Sequence, residues 1–372
     1  MAACENRGYN GGVRRAIFCL FTTLSLLAFL ALSVSVQAAP LLGFTRWPSD
    51  LSLEGVQTAD DFIKEHGNIA ALHLERGIPW PEALAGTGYS KDVVETLSYR
   101  PPAGHKLFVS INPLNIDRAG LAPYWGAKDN MALPAPWDDQ PFDAPDVITA
   151  YGNFAEHVVA QLRPDYLAIG VESNILLTKK PQAWPAYVRL HQAVYARLKQ
   201  RYPTLPVFFT VDVQHLQGYF DDADAAAQDK SVRALLDASD LFALSSYPFM
   251  APKTPRPIPA DYFAFARNYG KPIAVAETGY TTQDVNWLWV KLRGTPALQE
   301  QYYSILLQSA VADNYAFVIT YAGTDFDRMI AKLPWAVRGL AGIWQYTGLQ
   351  TADKEPKPAL KLWDSFLRPA RP

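Results

Sequence analysis

Eight short, apolar, β-rich runs alternate with helical stretches along residues 41–367. An unbroken alternation of this kind is typical of a parallel sheet whose helices cover its outer face. A doubly wound open sheet is the alternative, but it usually has fewer strands, and the first run contains no G-x-G-x-x-G pattern. The sequence therefore predicts a single (β/α)8 TIM barrel. The predicted strands are residues 41–47, 68–75, 105–112, 165–172, 206–213, 240–247, 271–277 and 316–321.

Residues 1–38 have the features of a secretory leader, so the predicted barrel domain spans residues 39–372. Basic residues precede a long apolar run, and Val36-Gln37-Ala38 resembles a small-residue cleavage site. The run is long for a signal peptide, so an uncleaved N-terminal membrane anchor is the alternative. Cleavage would give a periplasmic or secreted protein without stable membrane association, and we expect a monomer.

Composition narrows the classes of function. Both cysteines, Cys4 and Cys19, lie in the leader, so the mature chain would contain no disulfide and no thiolate metal site. A net charge of −2 gives no basic excess for nucleic acid. An aromatic content of 13% favours a ligand such as a sugar, whose C–H-rich faces stack on rings, and Trp47 and Trp344 lie nearest to strand ends. The tryptophans predicted in loops, where they line a cleft or simply pack the loop, are Trp47, Trp80, Trp125, Trp137, Trp287, Trp289, Trp335 and Trp344.

Two carboxylates end very apolar strands. Glu172 ends the fourth predicted strand and Glu277 the seventh. In a parallel barrel the C-terminal strand ends meet at one mouth, and these two strands face each other across it. A carboxylate at such a position is costly unless it is solvated or paired, so two water-facing rim carboxylates are the alternative. Retaining glycoside hydrolysis needs a pair of carboxyls ~5–5.5 Å apart, one as nucleophile and one as acid/base.

Further polar and aromatic side chains are predicted at the same mouth. Alternation puts His73 and Glu75 on one face of the second strand. Substrate hydrogen bonding is favoured there over a metal site, because no third ligand stands at a matching spacing. Asp212 and His215 follow the fifth strand, where pairing within the loop and ligand contact are both open. The candidate substrate-binding or supporting residues are Tyr247, Trp47, His73, Glu75, Asn112, Asn174, Tyr321 and Trp344.

These strand ends resemble those of the clan A glycoside hydrolases. The resemblance rests on Glu172, Glu277 and the segment Ser245-Ser-Tyr247-Pro at the end of the sixth predicted strand. Ala276-Glu-Thr-Gly-Tyr280 is most similar to the family 53 endo-β-1,4-galactanases, and the family 17 β-1,3-glucanases have a similar strand. The resemblance implies that Glu277 is the nucleophile, that Glu172 is the general acid/base, and that Tyr247 hydrogen-bonds Glu277 and keeps it ionised. It also implies a β-linked carbohydrate substrate and no cofactor or metal.

One position departs from the clan A pattern. These enzymes usually have an asparagine immediately before the acid/base, where it contacts the sugar 2-hydroxyl, but here that position is Val171. Asn174 is a possible substitute, although it lies three residues away from the usual position. The departure leaves open a carbohydrate-binding pseudo-enzyme and, beyond it, a structural role in exopolysaccharide export. The sugar, the linkage and endo or exo action are also open, and we expect the long loop 113–141 to control them.

Overall fold

Nine parallel strands form the barrel sheet. The computed structural model describes residues 39–287, 290–334, 338–339 and 342–367, so the predicted leader lies outside the described residues. All eight predicted strands are present, which confirms the (β/α)8 TIM barrel. The strands are β1 (Leu41–Thr45), β2 (Ile69–Leu74), β3 (Lys106–Ile111), β4 (Tyr166–Ala168), β5 (Val207–Phe208), β6 (Thr210–Asp212), β7 (Phe242–Ser246), β8 (Ile273–Thr278), the antiparallel hairpin β9 (Val285–Trp287) and β10 (Val290–Leu292), and β11 (Phe317–Thr320).

The barrel closes within its fifth predicted strand, which Phe209 divides into β5 and β6. The sheet order is β5-β4-β3-β2-β1-β11-β8-β7-β6, so its two ends are consecutive segments of the chain. Gly170 follows β4, and its carbonyl oxygen accepts a hydrogen bond from the amide of Thr210 at 2.9 Å. This bond joins the segment after β4 to β6 and so connects the two ends of the sheet. The predicted seventh strand is therefore β8, and the predicted eighth is β11.

Helices cover the outside of the sheet and begin at recognisable caps. Ser52 Oγ accepts from the amide of Gly55, and Thr295 Oγ1 accepts from the amide of Leu298, which satisfies amides at the starts of two helices. The helical pattern over residues 260–269 predicts a helix between β7 and β8, but the structure has only the 3-10 helix Ala264–Tyr269 there, with no side-chain cap. The α-helices are Leu53–His66, Trp80–Ala85, Lys91–Thr96, Pro145–Leu162, Leu176–Lys179, Trp184–Arg201, Val213–Leu216, Ala225–Leu235, Pro296–Ala312, Asp327–Lys332 and Pro358–Leu367. The 3-10 helices are Trp137–Asp139, Ser173–Ile175, Pro181–Ala183, Leu236–Ala238, Ala264–Tyr269 and Gly342–Trp344.

A plug of three phenylalanine rings fills the barrel interior. Phe108, Phe208 and Phe317 are fully buried, with ring centroids 5.1–6.1 Å apart, and small alanines from other strands pack around them. Full burial of each ring contributes roughly 1.5–3 kcal/mol to stability. The His73 ring lies edge-on to Phe108 at 5.6 Å, so a polar layer begins directly above this plug.

Three of the loop tryptophans lie in the core rather than in a cleft. Trp80 and Trp125 are 0% exposed and Trp137 is 4% exposed, and Trp80 stacks on Trp137 at 5.4 Å. The indole of Trp125 donates to Asp92 Oδ2 at 2.6 Å, so its polar atom is also satisfied inside the protein. Of the two alternatives, loop packing therefore holds for these three rings, which anchor the long loop after β3. Trp289, Trp335 and the side chain of Trp287 lie outside the described residues.

Across the part of the chain that the structure describes, no helix has the length and apolar character needed to cross a membrane.

Candidate active site

Three carboxylates and one guanidinium meet at the C-terminal mouth of the barrel. Glu75 follows β2, Glu172 follows β4, and Glu277 lies near the end of β8. Arg118 reaches them from the loop after β3. Its Nη1 lies 2.9 Å from Glu75 Oε2, and its Nη2 lies 3.1 Å from Glu172 Oε2. Only 5% of Arg118 is exposed, so this is a buried ion-pair network.

Glu172 stands on a left-handed backbone with φ 49° and ψ 41°. This conformation is uncommon for a residue other than glycine, and such positions concentrate at functional sites. The surrounding structure holds it there, because the Glu172 amide donates to Thr210 Oγ1 at 2.8 Å. The carboxylate also accepts a hydrogen bond from Ser245 Oγ at 2.7 Å on Oε1. Ser245 is the register partner of Glu277 across β7 and β8, so the residue that contacts the Glu172 carboxylate is the neighbour of Glu277 in the sheet.

Glu277 accepts a 2.5 Å hydrogen bond from the Tyr247 hydroxyl on Oε1. The resemblance to clan A enzymes implies this hydrogen bond, and it is present in the structure. The other oxygen, Oε2, lies 3.9 Å from His73 Nε2. Burial lowers the pKa of His73 to about 4, so its imidazole is neutral near pH 7 and adds no positive charge to the site.

The electrostatics of the cluster favour a state in which one of the two carboxyls, Glu172 or Glu277, keeps a proton near neutral pH. Burial, and then the Glu172 carboxylate, raise the pKa of Glu277 to about 8. Burial also raises the pKa of Glu172, but Arg118 opposes that shift most strongly. Because Arg118 contacts Glu75 and Glu172, the retained proton belongs on Glu277 when no ligand is bound. The hydrogen bond from Tyr247 lowers the pKa of Glu277, but burial and the Glu172 charge outweigh it, so Tyr247 does not keep Glu277 ionised in the free protein as the resemblance implies.

An aromatic wall stands beside Glu277. The rings of Trp47 and Tyr321 are 5.2 Å apart, those of Tyr321 and Tyr247 6.4 Å, and those of Tyr247 and Trp344 6.1 Å. Trp47, Tyr321 and Trp344 are half-buried. The wall is chemically suited to the C–H faces of a sugar.

Asn112 is a buried residue that contacts Glu75 and the backbone next to Glu172. It is 2% exposed, its Nδ2 lies 3.5 Å from Glu75 Oε2, and its Oδ1 accepts from the amide of Val171 at 3.2 Å. His73 Nδ1 and Ser110 Oγ are 2.6 Å apart, which fixes the orientation of the imidazole. Among the described residues, no three His, Cys, Asp or Glu side chains are grouped so as to hold a metal ion.

Asn174 does not replace the asparagine that is missing at position 171. It is 0% exposed, and its Nδ2 donates to Asp212 O at 3.0 Å and to Gln228 Oε1 at 2.9 Å. Its Oδ1 accepts from the Asp212 amide at 2.8 Å. The expectation of a ligand contact is therefore wrong, because both polar atoms of this amide tie the β4 loop to β6 and to the helix Ala225–Leu235. Asp212 in turn accepts from both the amide and Nδ1 of His215 at 2.7 Å, which is a pairing within the loop.

This structural role of Asn174 gives a testable result. We expect Asn174→Ala to lower the free energy of unfolding by about 2–3 kcal/mol, since it leaves buried partners without a hydrogen bond. Urea denaturation would measure the change. The control is Asn268→Ala, at an exposed position, which should change stability by less than about 0.5 kcal/mol. Equal losses in the two variants would contradict the assigned role.

Sequence reasoning missed Arg118 and Thr210. Thr210 follows the break at Phe209, and no local pattern marks that break. Arg118 lies in an irregular loop, where neither helical nor strand periodicity indicates which way a side chain points. The one feature of the sequence that could indicate the role of Arg118 is that it is an arginine in a loop predicted to lie above the two carboxylates.

No family model matches the chain. No curated protein matches it in sequence.

Solved structures share its fold. A glycoside hydrolase of family 5, subfamily 18, from Streptomyces cattleya, in complex with Manβ1-4GlcNAc, has 17% identity and a TM-score of 0.61 over 90% of this chain and 82% of that one. A family 53 catalytic domain from Ignisphaera aggregans has 15% identity and a TM-score of 0.51, covering 89% and 91%. An exo-β-1,4-mannosidase from Opitutaceae bacterium strain TAV5 has 14% identity and a TM-score of 0.59, covering 88% of this chain but only 59% of that one. The chain therefore has the (β/α)8-barrel fold found in clan A glycoside hydrolases, family 53 among them.

Proposed function

We propose that this protein is a retaining glycoside hydrolase that acts on a β-linked polysaccharide or oligosaccharide. The observation that carries the proposal is that Glu172 and Glu277 meet at the barrel mouth, close enough for the Glu172 charge to raise the pKa of Glu277, beside an aromatic wall. Two largely buried carboxyls at one barrel mouth are costly for folding, and hydrolysis of a glycosidic bond gives both a function.

Retention follows from the resemblance of the two strand ends to the clan A enzymes, which place a nucleophile and an acid/base ~5–5.5 Å apart. The two carboxyls act on each other here, since the Glu172 charge raises the pKa of Glu277. An inverting enzyme would instead keep ~6.5–9.5 Å between them, to leave room for water.

The reaction would proceed by double displacement, after the proton that Glu277 retains in the free protein has passed to Glu172. The Glu277 carboxylate attacks the anomeric carbon while the glycosidic C–O bond breaks, and Glu172 gives its proton to the departing oxygen. A glycosyl ester of Glu277 results. Glu172 then removes a proton from water, which attacks the anomeric carbon and releases Glu277 as a carboxylate. Tyr247 holds Oε1 of Glu277 throughout, which leaves Oε2 to form the bond.

The alternative is a carbohydrate-binding pseudo-enzyme. Val171 is 2% exposed and offers no polar group where clan A enzymes contact the 2-hydroxyl. The aromatic wall would still bind a sugar in that case. Contacts to the 2-hydroxyl, together with ring distortion, supply several kcal/mol of transition-state stabilisation in glycosidases, so their loss would slow turnover.

We also propose that the protein acts outside the cytoplasm, in the periplasm or as a secreted monomer, after removal of residues 1–38. The basic start, the apolar run and the small-residue site near Ala38 support this. N-terminal sequencing of the exported protein would test it, and an intact leader would favour the membrane anchor.

Product stereochemistry tests the proposed activity. The wild-type protein would be incubated with β-1,3- and β-1,4-linked glucans, galactans and mannans, and the first product observed by proton NMR. We expect a β-configured reducing end that later mutarotates. An α-configured first product would contradict retention. Glycan binding without any release of reducing ends would favour the pseudo-enzyme.

A further inference from the structure

Arg118 is a buried cation aimed at the proposed acid/base. The loop around it is exposed, since Ile116 is 75% exposed, yet Arg118 itself is 5% exposed. A turn around Asn115 directs it inward: the Arg118 amide donates to Asn115 O at 2.9 Å, and Asn115 Oδ1 accepts from the amide of Ala119 at 2.9 Å. Arg118 also has a left-handed backbone, with φ 54°. The loop is therefore shaped to place this guanidinium.

The guanidinium forms a fork between two carboxylates. Nη1 lies 2.9 Å from Glu75 Oε2, and Nη2 lies 3.4 Å from Glu75 Oε1 and 3.1 Å from Glu172 Oε2. Although burial opposes its charge, the carboxylates of Glu75 and Glu172 raise the pKa of Arg118, so it remains charged. A contacting guanidinium stabilises a carboxylate in its ionised form. Glu172 is thereby held without the proton that a general acid must deliver.

We infer that Arg118 is a latch that holds Glu172 in an ionised resting form, and that substrate must displace the guanidinium from Glu172 towards Glu75 before glycosidic cleavage. The inference rests on the proposed hydrolase activity. Glu75 already contacts both terminal nitrogens of Arg118, so it can keep the cation paired after release. Arg118 is thus a positioning residue that acts through Glu172.

The other groups that face Glu172 and Glu277 do not hold Glu172 in its ionised form. Glu172 is faced by Ser245, by the carboxylates of Asp212 and Glu75, and across the mouth by Glu277. Glu277 is faced by Tyr247, neutral His73 and Tyr321. Burial lowers the pKa of His215, but the Asp212 carboxylate outweighs burial, so the pKa is raised overall. The imidazole of His215 donates to Asp212 and not to Glu172. Arg118 is the cation in direct contact with Glu172 among the described residues.

The test is the pH dependence of kcat/KM in Arg118→Met and Arg118→Lys. Loss of the contacting cation raises the pKa of Glu172, so the basic limb of the Arg118→Met profile should move up by about one pH unit or more. Arg118→Lys retains the charge and should stay close to the wild-type profile. Arg76→Met removes an arginine that pairs with Asp92 and Asp129 beside the site, and it should leave the basic limb unmoved.

A basic limb in Arg118→Met that stays in place or moves down would overturn the latch, and melting curves would verify that each variant is folded.

A second measurement needs no turnover: carbon-13 NMR titration of the glutamate side-chain carboxyls in the free protein, with Glu172→Gln to assign the signal. If the wild type hydrolyses no glycan, the proposed function fails, but this titration still decides the latch. An unchanged Glu172 titration in Arg118→Met would overturn it.

Discussion

We expect Glu277→Gly to lose turnover of an aryl β-glycoside by at least about 10³-fold, and sodium azide to restore part of the lost rate. The glycine leaves space beside the anomeric carbon where the carboxylate stood. Azide can enter this space and attack the face that Glu277 would attack, while the bond to the aryl oxygen breaks. The product is then an α-glycosyl azide, which NMR identifies. The aryl oxide leaves without needing a proton, so the experiment reports on the nucleophile alone.

The matched control is Glu172→Gly with the same substrate and azide. There the glycosyl ester of Glu277 still forms, and azide attacks it from the opposite face to give a β-glycosyl azide. Opposite anomers from the two variants would assign both roles. An α-azide from Glu172→Gly and a β-azide from Glu277→Gly would instead show that the roles are reversed. That exchange is a real alternative, because Arg118 favours an ionised Glu172 in the free protein.

The barrel and its carboxylate pair could be predicted because both follow from periodicity. Apolar runs of strand length alternate with helical stretches, and a parallel barrel brings all the C-terminal strand ends to one mouth. The positions of Glu172 and Glu277 at that mouth then follow from where the runs end. Tyr247 could be anticipated on the same basis, since it follows the strand next to the one that carries Glu277.

The rest of the site depends on loops, whose conformations are set by distant contacts. Arg118 reaches Glu172 only because the turn at Asn115 folds inward. Trp47 and Trp344 form part of the mouth, whereas Trp125 lies in the core with its indole bonded to Asp92. Nothing in the neighbouring residues separates these cases. Asn174 was misassigned for a related reason, because its partners Asp212 and Gln228 lie far along the chain.

The raised pKa of Glu277 predicts a stability change with a defined sign. The folded protein binds this proton with a pKa of about 8, against 4.5 for an ordinary glutamate. Glu277 therefore makes no contribution below pH 4.5, and it destabilises the fold increasingly as pH rises from 4.5 to 8. Glu277→Gln removes that penalty and relieves the charge repulsion on Glu172. We expect the variant to be more stable than the wild type at pH 9, by on the order of a few kcal/mol, and to gain much less at pH 5.

Urea denaturation at pH 5 and pH 9 measures the difference through the shift in midpoint at constant slope. Glu300→Gln is the matched control, because this carboxylate is exposed on the helix Pro296–Ala312. Its midpoint relative to the wild type should be the same at both pH values. A gain for Glu277→Gln that is equal at pH 5 and pH 9 would mean that the amide merely packs better, and it would remove the evidence that the site retains a proton. A gain confined to pH 9 would mean that the fold tolerates an unfavourable buried carboxyl at this position, which is the stability cost expected where a carboxylate is retained for chemistry.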